Sequence, residues 1–148
     1  MSFFEGVANR VWRKNHNVAI INSEDTKMAY DQKNIFAKIL RGQIPCETVY
    51  EDDYVLAFED INPQAPVHVL IIPKGPYENM TEFSTTATSE EKVAFIGAIG
   101  AVVKLKEISE SGYRTIVNNG EDSMQEVPHL HIHVLGGRRL GGLLSSSV

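Results

Sequence analysis

Two periodicities alternate along this chain. Over residues 34–40, Ile35, Phe36, Ile39 and Leu40 recur at helical spacing, and Gly42 then Pro45 stop the run. The stretch "ETVYEDDYVLAFEDI" then predicts a hairpin, with strands at 48–51 and 54–59 around a tight acidic turn. "NPQAP" is a turn-rich linker. "VHVLIIPK" follows as a β-branched, aliphatic run that predicts a central strand ending at Pro73. The longest helical pattern covers 88–112. Thr88 and Glu91 form a T-x-x-E capping box at its start, and Gly112 is placed to terminate it. Within it, Val93, Ile96, Gly97, Gly100, Val103 and Lys104 recur every three or four residues and define its apolar face. Glycine is costly inside a helix, so Gly97 and Gly100 predict a close approach to a sheet or to another helix. "YRTIVNNG" and "HLHIHVL" predict the last two strands, with a polar loop between them. Upstream, Phe3, Phe4, Val7, Val11 and Trp12 approximate helical spacing. They predict a short amphipathic N-terminal helix that docks on its own domain or on a partner, within a leader of residues 1–31.

Strands outnumber helices and the hairpin is antiparallel. The pattern is therefore an α+β domain over 32–148, with roughly five strands in a sheet that is at least partly antiparallel and the long helix on one face. A chain of 148 residues fits one such core. A formal charge of −5 argues against broad nucleic-acid binding, which needs a basic footprint, but permits a local spot for one phosphate. Cys46 is the one cysteine, so no internal disulfide forms and a reducing compartment suits the chain. No apolar run reaches membrane-spanning length, and the N-terminus lacks the apolar centre of a secretory signal. The expectation is a cytoplasmic protein with no membrane or nucleic-acid partner.

Candidate chemistry concentrates in "VPHLHIHVLGGRR", which holds three of the five histidines. In a strand, His129, His131 and His133 share one face, spaced by about 6.6 Å, and Leu130, Ile132 and Val134 take the other. The aliphatic set belongs to the core, so the histidines should face a cleft or solvent. A metal could be shared by two of them. Three on one strand span about 13 Å, so the outer pair would have to stretch to its limit to share one ion, and no C-x-x-C or H-E-x-x-H supplies better ligands. Phosphorus chemistry fits better. A neutral imidazole is a nucleophile at neutral pH, crowding disfavours protonating several at once, and a neighbour can donate a hydrogen bond or proton.

With these residues in view, the chain resembles the histidine triad superfamily, whose signature H-φ-H-φ-H-φ-φ is "HLHIHVL" here. The likeness runs over roughly 34–139. "IPCETVYEDDYVLAFEDINPQAPVHVLIIPK", "GYRTIVNNG" and "QEVPHLHIHVLGGR" resemble its HINT-like branch in order and spacing. The resemblance implies hydrolysis of purine nucleoside 5′-phosphoramidates through a nucleotidyl-histidine, without a cofactor, in a homodimer. It makes His131 the nucleophile, His133 the phosphate contact, His129 the supporting ring and His68 a fourth histidine beside them. It assigns Asp60 to the ribose hydroxyls, Asn118 to the phosphate side, and Phe36, Ile39, Phe58, Ile61 and Leu70 to the base. In the loop before the triad, backbone N–H groups and the Gln125 side chain are expected near the phosphoryl oxygens, with Glu126 turned outward or toward the leaving amine. Structural readings stand beside these. His68 could be a core histidine, Asp60 and Asn118 turn residues, and the five apolar positions plain core.

The departures from the branch matter too. Met124 stands where relatives often have glycine, and the tail "GGLLSSSV" lacks a tryptophan-proline ending. Asn34, Ala37 and Pro76 replace residues that bind zinc in some members, so no metal is expected. Two further readings stay open: a nucleotide-binding scaffold with vestigial activity, and a hydrolase of dinucleoside polyphosphates.

Overall fold

The computed structural model describes residues 29–145, so the amphipathic helix expected at residues 3–12 lies outside the described residues. Five strands form one antiparallel sheet: β1 (Thr48–Glu51), β2 (Val55–Glu59), β3 (Val67–Pro73), β4 (Tyr113–Ile116) and β5 (Ile132–Gly136), in spatial order β1-β2-β3-β5-β4. Among the described residues three α-helices accompany it, α1 (Ile35–Leu40), α2 (Met80–Thr86) and α3 (Ser89–Leu105), with a short 3-10 turn at Glu121–Ser123. The α+β architecture expected from the periodicities is the one observed.

Alternation along the strands gives the sheet two faces with different duties. Val55, Ala57, Val69, Ile71, Ile132 and Val134 meet Phe95, Ala98 and Val102 of α3, with Phe83 of α2, in the main core. The opposite residues, Leu56, Phe58, Leu70 and Ile72, meet Phe36 of α1 in a smaller second core. His68 and His133 share this second parity, because His133 pairs with Leu70 across the β3–β5 ladder. Phe95 is fully buried and packs against Phe83 at 4.9 Å between ring centroids. Phe95→Ala is expected to cost about 3–5 kcal/mol, read as a drop in the urea midpoint; a change below about 1 kcal/mol would show that this core can collapse around the lost ring.

Several expectations need correction. The capping box at Thr88 and Glu91 is present, but α3 ends at Leu105 rather than running on to Gly112. Glu107 turns the chain with φ 56°, and the Gly112 N–H caps a later turn on the Ile108 carbonyl. The predicted apolar face of α3 is also largely the wrong one. Val93 is 73% exposed and Ile96 61% exposed, and a side chain at Gly97 or Gly100 would meet nothing within 4 Å. The buried flank is Phe95, Ala98, Val102 and Val103. This helix is apolar on both flanks, so spacing alone could not choose between them. β4 stops at Ile116, short of the predicted 113–120. α2 was not predicted; Asn79 caps it by accepting from the Glu82 N–H.

β5 also begins three residues later than expected. β3 ends at Pro73, which has no N–H to extend the ladder. Its carbonyl instead accepts from the His129 ring, and the Leu130 N–H donates to Tyr77. Beyond β5, Gly137 has φ 90°, and a Cβ there would lie 2.9 Å from Pro66. The "GG" after the histidines is thus the turn that lets β5 leave the sheet beside the linker.

Candidate active site

β3, β5 and the segment leading into β5 bring the histidines together against α1. The His131 and His133 rings lie 4.9 Å apart between centroids, and the His68 and His133 rings 5.2 Å apart. The Phe36 ring stands edge-on to His131 at 5.1 Å and to His129 at 6.2 Å. The expectation that all three face a cleft or solvent holds in part. His129 is fully buried, His131 is 6% exposed, and His131 and His133 line a cavity of about 410 Å³. Asp60, Asn62, Gln64, His68, Asn118, Met124 and Glu126 complete its wall. A hollow of about 520 Å³ beside Tyr54 and Val93 is larger but carries no imidazole.

The hydrogen bonds assign a proton to one nitrogen of each ring, because backbone groups fix the directions. The Gln64 N–H donates to His68 Nδ1 at 3.0 Å, so His68 carries its proton on Nε2. That Nε2–H donates to His133 Nδ1 at 2.9 Å, with an Asp60 oxygen 3.4 Å away. His133 therefore carries its own proton on Nε2. His131 Nδ1–H donates to the His129 carbonyl at 2.7 Å, which leaves His131 Nε2 with a bare lone pair. His129 Nε2–H donates to the Pro73 carbonyl at 2.8 Å, and its Nδ1 accepts from the Tyr30 hydroxyl.

Burial keeps this array neutral. Desolvation pushes His129 down to about 4, against a weaker upward pull from the Pro73 carbonyl. It pushes His133 down to about 4, helped by His131 and His68. Desolvation likewise lowers His131 and His68, although Asp60 opposes it at both. A neutral ring with a bare nitrogen beside a ring offering an N–H is a nucleophile paired with a donor.

The other candidates distribute unevenly. Asp60 serves both readings: Oδ1 accepts from the Asn62 N–H at 2.8 Å in the turn, and Oδ2 faces His68. Asn118 lines the cavity. Phe36, Phe58 and Leu70 are buried together with half-buried Ile39 beside them, whereas Ile61 is 93% exposed. Gln125 departs from its expected place. Its Nε2 donates to the Glu78 and Val127 carbonyls and its Oε1 accepts from the Gly120 N–H, so the side chain staples the loop. Met124 takes φ 60° at the rim of the cavity, where it lines one edge and is 77% exposed. Glu126 borders the cavity and is exposed. Asn62, Gln64 and Tyr30 were missed. The first two lie in a turn whose shape the sequence does not specify, and Tyr30 sits outside every motif.

Asp60, His68 and His133 hold donor atoms within 4.8 Å of one another. They do not suit a cation. Coordination through His68 Nε2 would move its proton to Nδ1, against the Gln64 N–H. Asn34 and Ala37, at the zinc positions of some histidine triad proteins, are joined by the N-cap hydrogen bond of 2.9 Å.

An antiparallel sheet whose β5 and the segment leading into it carry H-x-H-x-H, beside a fourth histidine from the neighbouring strand, defines a histidine triad protein. The chain belongs to the HIT domain family, whose model matches residues 41–140. An uncharacterised HIT-like protein of Azospirillum brasilense is 54% identical over 78% of this chain and 95% of its own length. The purine nucleoside phosphoramidase of Escherichia coli is 44% identical over 77% of this chain and 95% of its own length. Among solved structures, a HIT family hydrolase from Clostridium thermocellum matches with a TM-score of 0.70 and 40% identity, covering 75% of this chain and 96% of that one.

Proposed function

We propose that this HIT family member is a hydrolase that converts purine nucleoside 5′-phosphoramidates to the nucleoside monophosphate and an amine. One observation carries the reading: the hydrogen-bond network leaves a neutral His131 with its lone pair on Nε2, in a ring that lines the cavity.

In the proposed reaction His131 Nε2 attacks phosphorus and the phosphorus–nitrogen bond to the amine breaks. The departing nitrogen takes up a proton from solvent water at the open side of the cavity, which the later hydrolysis step returns. The His131 ring, now substituted on Nε2, carries positive charge, and the His129 carbonyl stabilises it through Nδ1–H. His133 Nε2–H donates to a phosphoryl oxygen, whose charge it steadies as the bonds exchange. His68 holds His133 in the tautomer that makes this donation possible. Water then cleaves the phosphorus–His131 bond, releasing the monophosphate and a proton. Asp60 receives the ribose hydroxyls, and Asn118 stands on the phosphate side. The Phe36, Ile39, Phe58 and Leu70 cluster offers an apolar seat for the base, with exposed Ile61 free to cover it. Glu126 repels phosphate but attracts a departing ammonium.

The test is direct. Incubated with adenosine 5′-phosphoramidate, the protein is expected to release AMP catalytically. Tight AMP binding in calorimetry with no turnover of any phosphoramidate would favour a scaffold instead, and much faster cleavage of a dinucleoside polyphosphate would change the substrate class.

The proposal includes a homodimer and a reducing, cytoplasmic setting. The uncovered stripe of Val93, Ile96, Gly97 and Gly100 on α3 supports the first, and Tyr113 on the edge strand β4 is 43% exposed near one end of the sheet. No helix among the described residues is long and apolar enough to cross a membrane.

A further inference from the structure

We propose that Tyr30 is a positioning residue for His131: clamped by Asn34, its hydroxyl fixes the His129 ring, and the His129 carbonyl then holds the His131 proton on Nδ1. The inference rests on the nucleophilic role given to His131 above.

Tyr30 lies outside the histidine motif and outside the matched residues 41–140. It nevertheless reaches the triad across 99 positions of sequence, donating to His129 Nδ1 with its ring edge-on at 5.6 Å. Every hydrogen bond in the relay from Asn34 through Tyr30 to His129 has a determined direction. Asn34 Oδ1 accepts from the Ala37 N–H at the start of α1, so its Nδ2 is the end that donates to the Tyr30 oxygen at 2.8 Å. The same Nδ2 also donates to the Asp31 carbonyl at 2.8 Å. A hydroxyl that accepts from Asn34 keeps its own hydrogen for His129. His129 Nδ1 must accept, because its Nε2–H is taken by the Pro73 carbonyl.

His129 is fully buried, so bulk water cannot replace the tyrosine hydroxyl as donor. Burial raises the Tyr30 pKa, which keeps the hydroxyl protonated and donating. With its ring held at both nitrogens, residue 129 presents its carbonyl 2.7 Å from His131 Nδ1. Loosening that ring frees the His131 proton to move to Nε2, the atom that must be bare to attack. The cap of a six-residue helix thereby reaches the reacting nitrogen through two side chains and one carbonyl.

The experiment uses the full chain labelled with 15N-histidine. In the wild type, His129 Nδ1 is expected to resonate as a hydrogen-bonded acceptor and His131 as a single Nδ1–H tautomer. Tyr30→Phe is expected to shift His129 Nδ1 toward a bare acceptor and to make His131 a tautomer mixture. For adenosine 5′-phosphoramidate, kcat should fall about tenfold, the scale of one lost orienting hydrogen bond, with KM within about twofold. Asn34→Asp keeps the cap oxygen for Ala37 but draws the Tyr30 hydrogen to its own carboxylate, and should give the same pattern. If Tyr30→Phe fails to fold, Asn34→Asp carries the test. Unchanged nitrogen signals, or changed signals with unchanged kcat, overturn the proposal. A wild type without phosphoramidase activity overturns the reading of the site, while the nitrogen signals still decide whether Tyr30 sets the His131 tautomer.

Discussion

Replacing His131 with alanine is expected to lower turnover of adenosine 5′-phosphoramidate by about a thousandfold or more, because a nucleophile and the machinery serving it fail together. The loss should fall on kcat. Asp60, held by the Asn62 N–H, and Phe58 and Leu70 of the proposed base seat do not need the His131 ring for their place, although Phe36 loses an edge-on neighbour, so AMP should still bind in calorimetry. His133→Ala keeps the nucleophile and removes a donor, and a smaller fall of about a hundredfold is expected. A quenched reaction of the wild type with labelled substrate should place label on residue 131, and the His131→Ala protein should carry none. Turnover that survives in His131→Ala would move the attacking atom elsewhere and end the proposed mechanism.

The second large effect is on stability against acid. His129 and His133 are held at about 4 in the fold, below the ordinary 6.5 of an exposed imidazole. Above pH 6.5 both rings are neutral folded or unfolded, and they contribute no pH dependence. As pH falls from 6.5 toward 4 the unfolded chain takes up protons that the fold refuses, so stability drops. By pH 5 the loss is roughly 2 kcal/mol for fully buried His129, and less for the partly exposed His133. Below about 4 the rings protonate in the fold as well and their contribution levels off. Urea midpoints at pH 7.5, 6.0 and 5.0 should therefore fall in steps, in a window where carboxylates scarcely titrate. Identical midpoints at pH 7.5 and 5.0 would mean that the rings are solvated rather than buried. The same depression sets the chemistry: with His131 lowered, the acid limb of kcat/KM should lie below 6.5.

The triad, the cap of α3, the central strand and the hairpin were legible because each rests on local chemistry. A box at Thr88 and Glu91 or a run such as "VHVLIIP" means the same thing in most surroundings. The flank of α3 was not legible, since Val93 and Phe95 are equally apolar and tertiary packing selects between them. Nor was the fate of Gln125, whose two ends meet backbone groups as far away as Glu78. Strand parity places His129 in the cleft, yet it precedes β5 and is fully buried beneath the site. Tyr30 carried no signal, because a single tyrosine before a helix has no motif and its partner lies 99 residues later. The roles proposed for Asp60 and Asn118 rest on resemblance, since nothing in their own sequence neighbourhoods distinguishes them from turn residues.

The alternation of His131, Ile132, His133 and Val134 across the sheet leaves this stretch no tolerance for a change of length. Deleting one residue just before it would rotate aliphatic groups into the polar hollow and drive imidazoles beneath α3, removing reactivity and foldedness in one stroke. Substitutions, by contrast, can be confined to one side. The ribbon can thus be retuned letter by letter but never respaced.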